Sequence, residues 1–335
     1  MKLRRFLIII GLLGIMVIIL TTLGHPAKII AAFRQVKWYV VPLVFIVQLC
    51  SYFCNSRYYQ TFFKVFGTDV PLRSLYEISL GINFANQAIP SGGVSGTAFL
   101  AEAAKPYGVP SGRATLAQLG RYCFTFLSFF AVMAFGFLML FFGDDQDKIS
   151  VRVVLLLMIV LLTLGLILLT IFSERRRLEK FLNPIVRFVN RAGRSLFRQP
   201  GPVIKPDSYE AFLNDFYHGY RELLAKKRHW PALLGWTLGG NLCEVLTVYV
   251  VFLCFGLIVN PGIVITGYAL AIMAGAGAFL TSGLGVYEAG MIGTFTALGI
   301  PFALSIAVVL VYRIVNMGIF LPIGLFFYRK HLKTT

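Results

Sequence analysis

The chain has 335 residues, of which 58% are hydrophobic, 15% aromatic and only 13% charged, with a mean hydropathy of +0.78. Soluble domains carry about 25% charged residues, so this composition excludes a water-soluble globular protein and places most of the length in lipid. The formal net charge of +17 sits mainly in loops flanking apolar runs, a placement explained by anionic headgroups and cytoplasmic loops rather than by nucleic acid.

A membrane-spanning helix needs about 20 mostly apolar residues, and such runs recur at 6–23, 38–54, 75–104, 114–142, 151–172, 231–258, 263–298 and 303–328. The first, Phe6 to Leu23, follows Lys2, Arg4 and Arg5. It is long for a signal-peptide core and lacks a small-x-small cleavage site, so it reads as a retained first transmembrane helix. Two later runs are interrupted, one by Pro90-Ser91-Gly92-Gly93-Val94-Ser95-Gly96 and the other by Thr281-Ser282-Gly283-Leu284-Gly285. Glycine-dense stretches at that depth predict broken helices, whose freed backbone groups must be buried in protein or line a wet cavity.

Charges near the run ends set the orientation. Lys2, Arg4 and Arg5 place the N-terminus in the cytoplasm, the acidic turn Asp144-Asp145-Gln146-Asp147 suits the outer face, and Arg175, Arg176 and Arg177 return the chain inside. Arg329, Lys330 and Lys333 place the C-terminus inside as well, whereas the loop 24–37, with Lys28, Arg34 and Lys37, fits the outer face badly. These assignments agree only if each broken segment enters and leaves on one side. The expected architecture is therefore an all-α polytopic protein of the cell membrane, with about six full transmembrane helices and two re-entrant helical hairpins. One membrane domain covers 1–335: a first half over about 36–142, a cytoplasmic linker over 173–230 and a second half over about 231–328. In the linker, Phe181, Ile185, Phe188, Ala192 and Leu196 recur at helical spacing beside Arg187, Arg191, Arg194 and Arg198. That is the pattern of a basic amphipathic helix, lying either in the headgroup layer or against the protein.

A shift of 191 positions aligns the two broken segments without a gap: Ser91 falls on Ser282, Gly92 on Gly283, Gly108 on Gly299, Val109 on Ile300 and Pro110 on Pro301. Arg121 and Arg313 miss each other by one position. Two similar halves of opposite orientation are the pattern of an inverted-repeat transporter, with its site where the broken helices meet.

The candidate binding residues follow from that pattern. Gly92, Gly93, Gly96, Gly283 and Gly285 allow sharp turns that expose helix-start amides, which favour an anion such as a lipid phosphate; Ser91, Ser95, Thr97 and Ser282 add hydroxyls. The competing reading is close packing of small residues. Arg121 and Arg313 lie inside apolar runs, where an unpaired charge costs roughly 2.5 to 3.5 kcal/mol. Each therefore needs a partner, either a lipid phosphate held bidentately or a carboxylate such as Glu102, Glu244 or Glu288. Glu244 and Glu288 are acids at membrane depth, suited to proton coupling or to a cationic headgroup, and Glu288 also suits a helix cap.

Other chemistry finds no footing. Cys50, Cys54, Cys123, Cys243 and Cys254 lie in apolar runs without metal-ligand spacing, and His25, His218, His229 and His331 are scattered. No phosphate loop, H-E-x-x-H or G-x-S-x-G occurs. The expectation is a protein without catalytic residues, metal or cofactor.

The stretch Asn83-Phe84-Ala85-Asn86-Gln87-Ala88-Ile89-Pro90-Ser91-Gly92-Gly93, with Gly283-Leu284-Gly285-Val286-Tyr287-Glu288-Ala289, Gly299-Ile300-Pro301 and Tyr312-Arg313, resembles the lysylphosphatidylglycerol synthase transmembrane family. That family is the flippase-like membrane domain of multiple peptide resistance factor proteins and of many stand-alone prokaryotic membrane proteins. Thr281 stands where its second motif commonly has Pro. The aminoacyl-transferase domain that follows in multiple peptide resistance factors has no counterpart before Thr335. The resemblance thus implies translocation of an anionic phospholipid or polyprenyl-linked lipid rather than aminoacyl-lipid synthesis. The alternatives are a membrane-embedded lipid-modifying enzyme and a non-transporting partner of a lipid synthase or glycosyltransferase.

Overall fold

A computed structural model describes residues 33–89, 91, 93–141, 206–277 and 285–333, with isolated positions between 156 and 190. The first apolar run, the acidic turn at 144–147, the apolar stripe expected from Phe181 to Leu196, and Gly92, Ser282 and Gly283 lie outside the described residues. Every regular element among the described residues is helical. In chain order they are α1 Val41–Val65, α2 Leu72–Ala88, α3 Val94–Ala103, α4 Ser111–Phe141, α5 Pro206–Ala225, α6 Trp230–Cys254, α7 Pro261–Gly277, α8 Val286–Ala297 and α9 Phe302–Arg313. A π-helical turn, Ile314–Ile319, then joins α9 to α10, Phe320–Lys333. Three stretches, Ser111–Leu140, Lys227–Cys254 and Phe302–Leu332, are long and apolar enough to cross a membrane.

The boundaries repeat. Both α1 and α6 carry Pro at the second helical position, Pro42 and Pro231, where the missing N–H has no intrahelical acceptor to lose. Both end on a left-handed glycine, Gly67 and Gly256, each at φ 74°. In each case the next amide reaches back to seal the last turn: Thr68 N–H to Phe63 O at 3.1 Å and Leu257 N–H to Phe252 O at 3.1 Å. Gly93 and Gly285 cap α3 and α8 with positive φ, and Gly108 and Gly299 precede α4 and α9 in the same way. The six positive-φ glycines of the described residues thus form three matched pairs, one member in each half.

Packing follows the same plan. α1 lies along α6, α2 pairs with α3 and with α10, and α7 pairs with α8 and with α4. Small residues permit the closest approaches. A Cβ on Gly324 of α10 would fall 2.5 Å from Leu80 O of α2, and one on Gly262 of α7 would fall 2.6 Å from Gly136 O of α4. The arms of each helical pair also meet at a glycine: the ring of Phe99 fills the space beside Gly81, and that of Phe295 the space beside Gly267.

α1 runs on to Val65, past the end of the apolar run at 54. The polar continuation is helical because Tyr58, Tyr59, Phe62 and Phe63 are fully buried, so tertiary burial overrides the local drop in hydropathy. The linker is docked as well: α5 buries Leu213, Phe216 and Leu223 and lies close against Gly112 of α4. Outward, Leu43, Ile46, Leu49 and Phe53 of α1 form an exposed apolar face at helical spacing. In a lipid solvent such a face is satisfied.

Candidate functional site

Four helices turn polar residues at helical spacing toward one central space. α1 contributes Gln48, Ser51, Asn55 and Tyr59; α2 contributes Ser79, Asn83 and Asn86; α4 contributes Arg121 and Thr125; α6 contributes Thr237, Asn241 and Glu244. Residues three, four and seven apart share a helix face, so each helix keeps one wet stripe inside and its apolar remainder outside. With Tyr268 of α7 and Asn316 of the π turn, these stripes line a partly open cavity of about 220 Å³.

Glu244 is the acid of this cavity. Its Oε1 accepts hydrogen bonds from Gln48 Nε2 at 2.9 Å and Ser51 Oγ at 2.7 Å, and its Oε2 accepts one from the Tyr312 hydroxyl at 3.5 Å. Asn316 Nδ2 donates to the Tyr312 oxygen at 3.4 Å, and Gln87 Nε2 donates to Asn83 Oδ1 at 2.7 Å and to Asn316 Oδ1 at 3.2 Å. One hydrogen-bonded chain therefore links α6, α9, the π turn and α2. A π-helical turn in an otherwise α-helical rod is a common mark of a functional position, and here it carries the asparagine that closes this chain.

Arg121 is the cation of the same cavity. One of its terminal nitrogens donates to Asn55 Oδ1 at 3.0 Å, and the guanidinium lies over the rings of Tyr59 and Tyr122, at 5.9 and 5.4 Å. Gln118 holds those rings: it bonds the Tyr59 hydroxyl closely and donates to the Tyr122 oxygen at 2.8 Å. No described carboxylate comes within ion-pair distance of Arg121; Glu102 is taken by Lys105 at 2.5 Å and Glu288 by Arg313 at 2.6 Å. Arg121 Nε, Asn83 Nδ2 and Gln48 Oε1 are buried without a hydrogen-bond partner. Buried polar atoms are nearly always satisfied, and these two donors and one acceptor all belong to residues that line the cavity.

Arg313 occupies a different setting. Its Nε sits 2.6 Å from Glu288 Oε1, close enough for an ion pair although the N–H is not aligned for a hydrogen bond, and its guanidinium stacks 4.2 Å from the centre of the Tyr287 ring. The other carboxylate oxygen of Glu288 accepts the Gly285 N–H at 2.7 Å. Glu288 thus caps α8 and neutralises Arg313 at once.

The family model described as Lysylphosphatidylglycerol synthase TM region matches residues 7–324, which takes in every wall of the cavity. The chain belongs to this family. A UPF0104 membrane protein of Methanothermobacter thermautotrophicus (strain Delta H) is similar over 96 residues at 33% identity. That stretch is 29% of this chain and 27% of the relative, so the chain matches only about a quarter of the relative's length. The family description is of a membrane region of lysylphosphatidylglycerol synthases, which is consistent with a membrane lipid-related role.

Within this family member, the residues singled out from the sequence separate into three groups. Arg121 and Glu244 line the central cavity. Gly285, Glu288 and Arg313 form the second cluster, joined to the cavity through Tyr312, the neighbour of Arg313. Ser91, Gly93 and Ser95 build the first turn: Ser91 Oγ accepts the Ser95 N–H at 2.9 Å, and Ser95 Oγ donates to Ala85 O at 2.8 Å. They do not line the cavity. The turn reaches it through Asn86, whose side chain accepts the Gly96 N–H at 2.9 Å, and through Tyr122, whose hydroxyl would lie 2.5 Å from a Cβ on Gly93. Sequence reasoning missed the uncharged wall, namely Gln48, Ser51, Asn55, Ser79, Thr125 and Asn316. Its signal was present as polar residues at helical spacing inside apolar runs, weaker than a charge because each costs less to bury.

Proposed function

We propose that the protein carries the headgroup of an anionic amphipathic lipid, a phospholipid or a polyprenyl-linked anion, between membrane leaflets. The observation that carries this reading is the central cavity, where Arg121 stands without a carboxylate partner among the described residues while its Nε and the Asn83 Nδ2 lack acceptors. A guanidinium offers a phosphate two parallel hydrogen bonds. The volume of about 220 Å³ suits a headgroup and excludes acyl chains, which stay in the bilayer. Glu244 shares the cavity and offers the negative charge against which the guanidinium releases its anion.

In this reading α2–α3 and α7–α8 are two re-entrant hairpins of opposite orientation, with both chain termini in the cytoplasm of the cell. The matched glycine caps and the matched pairing of α2 with α10 and of α7 with α4 support it. The halves rock about the α1–α6 contact and expose the cavity to each leaflet in turn, as inverted-repeat carriers do. No bond is made or broken in the lipid.

Purified protein reconstituted with a fluorescent anionic lipid, followed by a membrane-impermeant quencher, tests the proposal. Transport raises the quenched fraction from about half, the share of one leaflet in a large vesicle, toward completeness. A quenched fraction that stays equal to that of protein-free vesicles overturns it. Single-cysteine labelling at the exposed positions 73 and 105 tests the hairpin: both label from one face, and labelling from opposite faces would sink the re-entrant assignment.

A further inference from the structure

A second polar pocket lies away from the central cavity, where the start of α2 meets the end of α10. It measures about 240 Å³ and is lined by Arg73, Ser74, Glu77, Tyr107, Lys330 and His331. Glu77 sits at its floor, buried, with Lys330 Nζ at 2.6 Å, His331 Nε2 at 3.2 Å and Arg73 Nε at 3.7 Å. Two permanent cations thus gather around one carboxylate, and the Arg73 side chain is 92% exposed. An open groove of about 480 Å³ adjoins it, lined by Phe53, Leu72, Tyr76 and Phe327 and sharing Arg73 and Glu77 with the pocket. Tyr76 donates its hydroxyl to Leu49 O at 3.2 Å, which fixes the groove floor between α1 and α2.

Basic pocket and apolar groove meet at Arg73 and Glu77, which line both, and that pairing selects the occupant. A free phosphate would use the pocket alone and a hydrocarbon the groove alone; a molecule with an anionic head and an apolar tail uses both. The depth agrees, since Lys330 lies near the end of the Phe302–Leu332 span, where the headgroup layer begins. We infer that this seam of α1, α2 and α10 is a docking site for an anionic phospholipid of the adjacent leaflet, phosphate on Arg73 and Lys330 and one acyl chain against Phe53, Leu72, Tyr76 and Phe327. The site requires binding only and stands whether or not the protein moves lipid.

Trp236 reports on it through Phe53 of the groove wall, whose ring lies 6.2 Å from its own. The experiment uses the full chain with Trp38→Phe and Trp230→Phe, in phosphatidylcholine vesicles containing increasing amounts of brominated phosphatidylglycerol or brominated phosphatidylcholine. Brominated phosphatidylglycerol should quench Trp236 at a mole fraction about thirtyfold below that needed for brominated phosphatidylcholine, the scale expected for two cations near a membrane surface. Arg73→Gln with Lys330→Gln should remove this preference, and Lys330→Arg should keep it. If the double variant fails to fold, Arg73→Gln alone decides the matter, with about a fivefold loss of preference expected. Equal quenching by the two brominated lipids, or a preference that survives loss of the cations, overturns the proposal.

Discussion

Arg121 and Arg313 follow the first and second glycine turns at nearly the same place, yet the fold treats them oppositely. Arg313 has a carboxylate 2.6 Å away on the helix that follows its own turn, and the pair is largely sequestered, with side chains 16% and 15% exposed. Arg121 has an amide oxygen, two aromatic faces and an unpartnered Nε opening on a polar cavity. The difference traces to one position. Glu288 aligns with Thr97 under the shift of 191, and Thr97 turns its hydroxyl back onto Gly93 O at 2.9 Å. One half spends its charge on holding a turn together, whereas the other keeps it available. The pseudo-symmetric scaffold thus pairs one arginine with a carboxylate and sets the other against an amide oxygen and two aromatic rings.

The largest effect should come from breaking the paired arginine. Arg313→Ala or Glu288→Ala leaves its partner charge stranded and should lower stability by about 3 kcal/mol. Thermal unfolding in detergent reads this, and Arg313→Ala combined with Glu288→Ala should recover most of the loss. An Arg313→Ala protein with unchanged stability and abolished transport would reverse the assignment of the two arginines.

Next comes Arg121→Ala. It should unfold near the wild-type temperature but lose roughly 2 kcal/mol of charge-assisted contact to the lipid, a fall of about thirtyfold in initial transport rate. Arg121→Lys should restore only part, because an ammonium lacks the bidentate fork. Wild-type transport by a stable Arg121→Ala protein would remove the basis for placing lipid phosphate in this cavity.

A smaller loss is expected at the first turn. Gly93 has φ 92°, and a Cβ there would meet the Tyr122 hydroxyl at 2.5 Å, so Gly93→Ala should cost about 1.5 kcal/mol through left-handed strain and the clash. Adding Tyr122→Phe removes the hydroxyl and should return the clash portion. No return would show that Tyr122 does not set the turn against Arg121.

The smallest effect probes the hydrogen-bonded chain. Gln87→Ala deletes the donor to Asn83 and Asn316 and should cost about 1 kcal/mol. If the chain couples α2 to Glu244, Asn316→Ala should lose less in the Gln87→Ala background than alone, and strict additivity in the double-mutant cycle would argue against coupling.

Hydropathy, glycine placement and the shift of 191 were enough to establish a helical membrane protein and the breaks around Ser91 and Gly285, because burial in lipid and positive backbone angles each demand particular residue types locally; the family was legible only through the resemblance of its motifs. The shift also anticipated the matched caps at Gly108 and Gly299. Which charge would be satisfied was beyond it: Arg121 and Arg313 look alike in sequence, and pairing depends on a helix partner whose rotation about its axis only packing determines. The same holds for the cavity. Gln48, Asn83, Thr125 and Asn241 lie on four different helices, and each is an isolated polar residue in an apolar run until the α1–α6, α2–α10 and α4–α7 contacts turn those faces toward one another. Local chemistry chose the elements, and the tertiary structure decided which polar atoms met and which arginine gained a carboxylate, since that depends on distances between segments nearly 200 residues apart.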